Sequence, residues 1–378
     1  MRIDYLEVTR YRNYRRQSIE PGEGLNIFVG ENAQGKSNLL ESIYVLATTK
    51  STRVAKDSEL IQFGESSTNV KARVDRIKEI DLQIELDISL TEKKSAKLNG
   101  SRHTRMAEVV GQVNAVMFDS GDLETIRGEP SVRRRFLDLE ISQTSPRYVH
   151  ALAAYRKTLE QRNFLLKEIR EWRAQPGSLE TLSAWNLQLA NYGSQLIERR
   201  RSFLSRLTVI AAEAHSLLSE GRDDLEIHYI PSFKIDEHLD TVSIREEFLR
   251  QISVQATDEK ARGTTLMGPQ RDDIVFDVSE HDSKLFGSQG QQRTVALAVK
   301  LAERQLIEEV VGEPPILLLD DVLSDLDDLR RRHLFETIGK TASQTFVTCT
   351  NLRAFPAAIL EGAKVWNVCN GEAVVSGV

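Results

Sequence analysis

The chain has 378 residues, too many for one small hydrophobic core, so two domains are expected. An apolar content of 40% and a charged content of 28% describe an ordinary soluble protein, and no run of about 18 apolar residues is present to span a membrane. A net charge of −6 and a pI near 5.8 exclude a basic field over the whole molecule, so any nucleic-acid partner must meet a local basic patch. The two cysteines, Cys349 and Cys369, show neither metal-ligand spacing nor a disulfide framework. Core filling suits both, and a reducing cytoplasm is the expected compartment. The opening MRIDYLEVTRYRNYRR lacks an apolar signal-peptide core and reads as mature structure.

In chain order, residues 1–135 read as strand-rich with one helix. An apolar strand over 25–29 runs into GENAQGKS, residues 30–37, and then into an amphipathic helix over 37–46. This octapeptide fits the phosphate-binding pattern G-x-x-x-x-G-K-[ST] at every fixed position. Gly30 and Gly35 let the backbone curl so that N–H groups face phosphate oxygens, and the helix N-terminus adds partial positive charge. Lys36 is expected on the β- and γ-phosphates and the Ser37 hydroxyl on Mg²⁺. The candidate nucleotide-binding residues here are Gly30, Glu31, Asn32, Ala33, Gln34, Gly35, Lys36, Ser37 and Asn38. A plain glycine turn with a lone lysine is the competing reading. Further on, DLQIELDI (81–88) alternates, with Leu82, Ile84, Leu86 and Ile88 on one face, and Leu98–Asn99–Gly100 signals a hairpin.

From about 136 to 220 the period becomes helical. Val149, Leu152, Tyr155, Leu159, Leu166 and Ile169 recur at three- and four-residue steps, QPGS (175–178) breaks the pattern, and a second run extends from Leu182 to Ile210. The expected result is an antiparallel helical hairpin whose longer helix spans about 55–60 Å. A projecting arm and an internal helical subdomain both fit. Strand patterns return near 225–230 and 274–278. The end of the chain reads helix (291–311), strand (316–319), helix (about 326–338), strand (345–348), the order of a parallel α/β sheet. No repeat, low-complexity segment or long linker appears, so the helices look inserted: 1–135 and 256–378 as two parts of one α/β domain, and 136–255 as the helical arm.

PPILLLDD (314–321) reads as a strand buried on both faces that ends in two carboxylates at the sheet's ligand-binding edge. Asp320 is the candidate Mg²⁺ holder, and Asp321 the candidate group polarising an attacking water. A strand closed by a solvated Asp pair is the plainer alternative. Upstream, Ser288 is placed to cap the helix beginning near Gln291, making a second anion-binding helix end with Gly290.

These residues resemble the ATP-binding cassette superfamily, with 30–37 as the phosphate loop, 288–291 as the signature, 316–321 as the acidic strand and 324–327 as the following loop. Within it the chain is similar to the RecF family of DNA-repair ATPases over nearly its whole length. Arg12–Asn13–Tyr14, RRRFLD (133–138), LEQRNFLLK (159–167), LMGPQRDD (266–273) and GSQGQQRT (287–294) carry that similarity. The resemblance implies an α/β, ABC-type P-loop ATPase domain with an inserted α-helical hairpin arm. It implies ATP and Mg²⁺ as cofactors and a dimer formed with ATP, in which Ser288, Gly290 and Gln291 of one copy cover the γ-phosphate held by the other. It also implies slow, DNA-stimulated hydrolysis acting as a switch, Asp321 being one methylene shorter than the usual Glu. The implied partners are double-stranded DNA and single/double-strand junctions, with RecR and RecO, for delivery of RecA to gaps during DNA repair, replication and the SOS response; no membrane is involved.

The candidate DNA contacts are Arg10, Arg12, Arg15 and Arg16 with Tyr11 and Tyr14 between them; a solvated edge strand is the alternative. Arg133–Arg135 and Arg199–Arg201 are weaker candidates. Three departures stand out: Ala33 for a usual Gly, Gln270 for a usual His, and FDSGDL (118–123) in the loop expected to couple nucleotide to arm. No His follows the strand at 345–348; Thr348 and Thr350 are possible γ-phosphate sensors there, although a plain strand end accounts for them. A soluble ATPase subunit of a transporter and another P-loop phosphotransferase remain the rival functions.

Overall fold

Four runs, LNIFV, AVMF, ILLLD and TFVTC, are mainly apolar, and their polar Asn26, Thr345 and Thr348 are buried too, which suits strands covered on both faces. In the computed structural model, which describes residues 1–173, 175–236, 239–324, 326–340 and 343–376, they are neighbours in one sheet. Its order is Glu372–Val375, Lys364–Cys369, Leu25–Val29, Thr345–Cys349, Ile316–Asp320, Ala115–Phe118. All pairings are parallel except the Lys364–Cys369/Glu372–Val375 hairpin. A second six-stranded sheet is antiparallel throughout: Tyr14–Ile19, Arg2–Tyr11, Ser67–Asp75, Leu82–Ser89, Ser95–Leu98, Ser101–His103.

The α/β architecture with helical elements is therefore as expected. Leu82, Ile84, Leu86 and Ile88 all face the core. Asn99 and Gly100 form the turn with φ 47° and 82°, the double left-handed step of a type I′ hairpin. The helix after the phosphate loop, Lys36–Thr48, differs from its expected amphipathic character: every residue from Leu39 to Thr48 is buried. It packs on strands of both sheets at once, so it has no wet face.

The chain divides into two compact units: Met1–Leu123, Glu213–Arg222 and Arg293–Val378 in one, Glu124–Ala212 and Asp223–Gln292 in the other. Both six-stranded sheets belong to the first. The second holds the helices Pro130–Thr144, Pro146–Arg170 and most of Ser178–Ser219, with the short antiparallel sheet His281–Asp282, Asp273–Val278, Leu225–Ile230. Ser178–Ser219 has 42 residues, about 63 Å at 1.5 Å per residue, longer than expected.

A third long helix, Thr241–Arg262, joins the helical pair. It buries only a narrow stripe, Ile244, Phe248, Ile252 and Glu259, and its charged remainder hides it from a periodicity reading. Arg162, 1% exposed, ties the three helices together: it donates to Asn186 Oδ1 at 2.8 Å and to Glu259 Oε2 at 2.5 Å. Gly193 permits the close approach, because a Cβ there would lie 2.7 Å from the Phe248 ring.

Candidate functional site

The phosphate-loop segment leaves the strand Leu25–Val29 and enters the helix Lys36–Thr48 as expected. Its two glycines are required by shape. A Cβ on Gly30 would sit 2.3 Å from the Val368 carbonyl oxygen. Gly35 adopts φ 116°, and a Cβ there would meet Asn13 Nδ2 at 2.6 Å and Tyr14 Oη at 2.8 Å.

The same neighbours clamp the loop from outside. Tyr14 Oη donates to the Gly35 carbonyl (3.0 Å), and Asn13 Nδ2 to the Gln34 carbonyl (3.0 Å). Asn38 Nδ2 donates to Asn13 Oδ1 at 2.8 Å. From the Asn370–Gly371 turn, the Asn370 amide reaches Gln34 Oε1 (2.7 Å) and the Gly371 amide the Gln34 carbonyl (3.0 Å). Glu31, Asn32 and Ala33 form the exposed crest. Ala33 has φ 65°, so this position does use the left-handed region that glycine fills without cost.

Lys36 is 7% exposed, and its Nζ donates to the carbonyls of Gly30 and Glu31, both at 2.7 Å. An ammonium thus stands inside a backbone cradle at a helix N-terminus, a place suited to anionic oxygens. Beside it, Ser37 Oγ donates to Asp320 Oδ1 at 2.7 Å, joining the two motifs across 283 positions of sequence. Thr348 Oγ1 donates to the same Asp320 oxygen at 2.8 Å and accepts from the Asp321 amide at 2.9 Å. Asp321 is exposed, with φ 55°. Cys349 is buried, and desolvation pushes its thiol up to about 11, against the pull of Lys36. Asn13, Asn38, Arg53 and the exposed Phe63 line an open groove of about 690 Å³.

The loop at 118–123 follows the strand Ala115–Phe118, which pairs with the acidic strand. It closes on itself: the Asp119 amide donates to Asp122 Oδ2 (2.9 Å), and the Gly121 amide to Asp119 Oδ1 (2.7 Å). Burial, and then the nearby Asp119 and Glu303 charges, raise Asp122 to about 8 although Lys300 lies 3.8 Å away.

In the second unit, Ser288 and Gln291 form a reciprocal cap: the Gln291 amide donates to Ser288 Oγ (3.2 Å), and the Ser288 amide to Gln291 Oε1 (3.0 Å). The helix therefore starts at Gln289, slightly before the expected Gln291. Gly290 is exposed in its first turn. Leu285 and Phe286, just upstream, are 69% and 71% exposed. Of the segment 324–327, Asp325 lies outside the described residues; Leu326 is buried and Asp327 pairs with Arg330.

The arginine cluster separates into different roles. Arg10, Arg15 and Arg16 are exposed, Arg10 pairing with Glu65 at 3.5 Å and Arg16 with Glu7 at 2.8 Å. Arg12 is committed to the fully buried Glu41 through two bonds of 2.9 and 2.7 Å, and to the Glu59 carbonyl. Tyr11 and Tyr14, expected on the surface among these arginines, are core residues instead. They face each other across the two-residue turn and point inward. Arg133 and Arg200 are also buried: Arg133 forks onto Asp273, and Arg200 bonds Asp138, Tyr148 and the Pro269 carbonyl. Their charge serves the inside of the second unit and not a wet face.

Sequence reasoning missed the clamp by Asn13, Tyr14 and Asn370–Gly371, and the two hydrogen bonds made by the Thr348 hydroxyl. Asn370–Gly371 is a readable hairpin dipeptide; its grip on Gln34 has no local signal.

Residues 2–371 match the family model described as "RecF/RecN/SMC N terminal domain". The "DNA replication and repair protein RecF" of Shouchella clausii (strain KSM-K16) is 43% identical over 372 residues, 98% of each chain. Its counterpart from Bacillus mycoides (strain KBAB4) is 44% identical over 373 residues, again 98% of each. Among solved structures, "the recombination mediator protein RecF-ATP in RecFOR pathway" is 33% identical with a TM-score of 0.89, covering 99% of both chains. An Smc head domain from Pyrococcus furiosus, at 17% identity and TM-score 0.54, shares the fold.

Proposed function

The chain belongs to the RecF/RecN/SMC N-terminal-domain family, and from that membership we propose an ATP-binding DNA replication and repair protein whose nucleotide-bound dimer grips duplex DNA near single-strand gaps. The observation that carries the reading is the 2.7 Å bond between Ser37 and Asp320, with Lys36 in the same cradle. The shape fits the group: Gly30 and Gly35 let the backbone press against Val368, Asn13 and Tyr14, where no Cβ would fit, and so hold the curl that turns the loop toward a phosphate. On binding, Lys36 trades its two carbonyl partners for phosphate oxygens. Ser37 and Asp320 would hold Mg²⁺, which supplies positive charge to offset the phosphates. Asp321 polarises a water whose oxygen bonds the γ-phosphorus as the bond to ADP breaks; its short side chain makes turnover slow, and DNA stimulates it. The groove toward Phe63 takes the sugar and base.

Ser288, Gly290 and Gln291 of a second copy cover the γ-phosphate, and the exposed Leu285 and Phe286 beside them are buried by that contact. Exposed Arg10, Arg15 and Arg16 offer phosphate contacts. The RecFOR context of the solved relatives supports RecR and RecO as partners; RecA delivery as the outcome and the cytoplasm as the site of action complete the same proposal. The test is Lys36→Ala: ATP affinity should fall at least about tenfold, as befits a lost charge-assisted contact. Unchanged affinity would remove the phosphate loop from the mechanism.

A further inference from the structure

Thr348 is the last residue but one of the strand Thr345–Cys349, which lies between the strand feeding the phosphate loop and the acidic strand. It pairs in register with Asp320 and is 1% exposed. Its hydroxyl carries two bonds of opposite sense, donating to Asp320 Oδ1 at 2.8 Å and accepting the Asp321 backbone N–H at 2.9 Å. Ser37 donates to that same carboxylate oxygen. Asp321 holds φ 55°, in the left-handed region that aspartate visits more readily than most residues but still at a cost that a fixed backbone N–H partner offsets. One oxygen therefore aims Asp320 at Ser37 and holds the turned backbone from which Asp321 projects.

We propose that Thr348 is a positioning residue for hydrolysis, setting both acidic side chains through one hydroxyl. This rests on the nucleotide-hydrolysing reading of the site given above. A threonine closing a strand only for packing would need its methyl group and no hydroxyl, whereas here both hydroxyl bonds go to the two carboxylate-bearing residues. Thr348 touches neither water nor phosphate in this role; it acts through Asp320 and Asp321.

The experiment compares Thr348→Val, which keeps the shape and deletes the hydroxyl, with Thr348→Ser, which keeps the hydroxyl. Single-turnover ATP hydrolysis, affinity for a fluorescent ATP analogue and the thermal midpoint are measured for each, beside Lys36→Ala. Thr348→Val should lose about 10- to 100-fold in hydrolysis rate, the usual effect of removing a group that orients a ligand residue. Nucleotide affinity should change less than about threefold, and Thr348→Ser should restore the rate. Should the valine variant not fold, Thr348→Ala gives the same comparison with serine. Hydrolysis at the wild-type rate in Thr348→Val, or a loss that serine does not restore, overturns the positioning role. Retained nucleotide binding in Lys36→Ala would instead overturn the reading of the site, so the two failures are told apart.

Discussion

At Ala33 the backbone asks for a glycine and the chain supplies an alanine. The φ of 65° costs an L-residue about 1–2 kcal/mol, part of which glycine returns as unfolded-state entropy. Ala33→Gly should therefore raise the unfolding free energy by about 0.5–1 kcal/mol, read as a higher urea midpoint; a lower midpoint would mean the loop carries no such strain. Residue chemistry in the loop is legible in the sequence, because the pattern of Gly30, Gly35, Lys36 and Ser37 encodes its own conformation. The partners of those residues were not. Tyr14 reads as part of a basic-aromatic surface and Asn13 only as part of a family-like segment, yet both hold the loop, because a two-residue turn at Arg12–Asn13 throws both tyrosines inward. Arg12 likewise read as a free cation and is spent on Glu41.

Elements were legible in proportion to how much of their surface is buried in one pattern. The alternating Leu82–Ser89 strand and the apolar Ile316–Asp320 strand were plain; the helix Thr241–Arg262, with its thin apolar stripe, was not. The segment at 118–123 illustrates a property that only packing creates. Asp122 is raised to about 8, chiefly by burial. Between about pH 4, where a free Asp ionises, and about pH 8, the folded chain keeps a proton that the unfolded chain has lost. Stability from this group is complete below that window and disappears as pH rises through it. Thermal midpoints recorded from pH 5 to pH 9 should fall less steeply for Asp122→Asn than for wild type; parallel curves would show that Asp122 titrates normally.

For the whole molecule, the proposed function depends on whether a second copy supplies what one copy lacks. Ser288→Arg introduces bulk and charge at the capped helix start. ATP affinity should stay within about threefold of wild type while ATP-dependent dimers disappear in sedimentation. Persistent dimers would reject the shared site. The sequence by itself determined the α/β class, the glycine–lysine loop between strand and helix, the acidic strand and the helix capped by Ser288, because their patterns lie among neighbours within a few residues along the chain. Tertiary structure alone decided which hydroxyls meet Asp320, which arginines stay on the surface, and how one carboxyl acquires an alkaline pKa. Those outcomes depend on distance and desolvation between segments as much as 283 residues apart, and no local spacing records them.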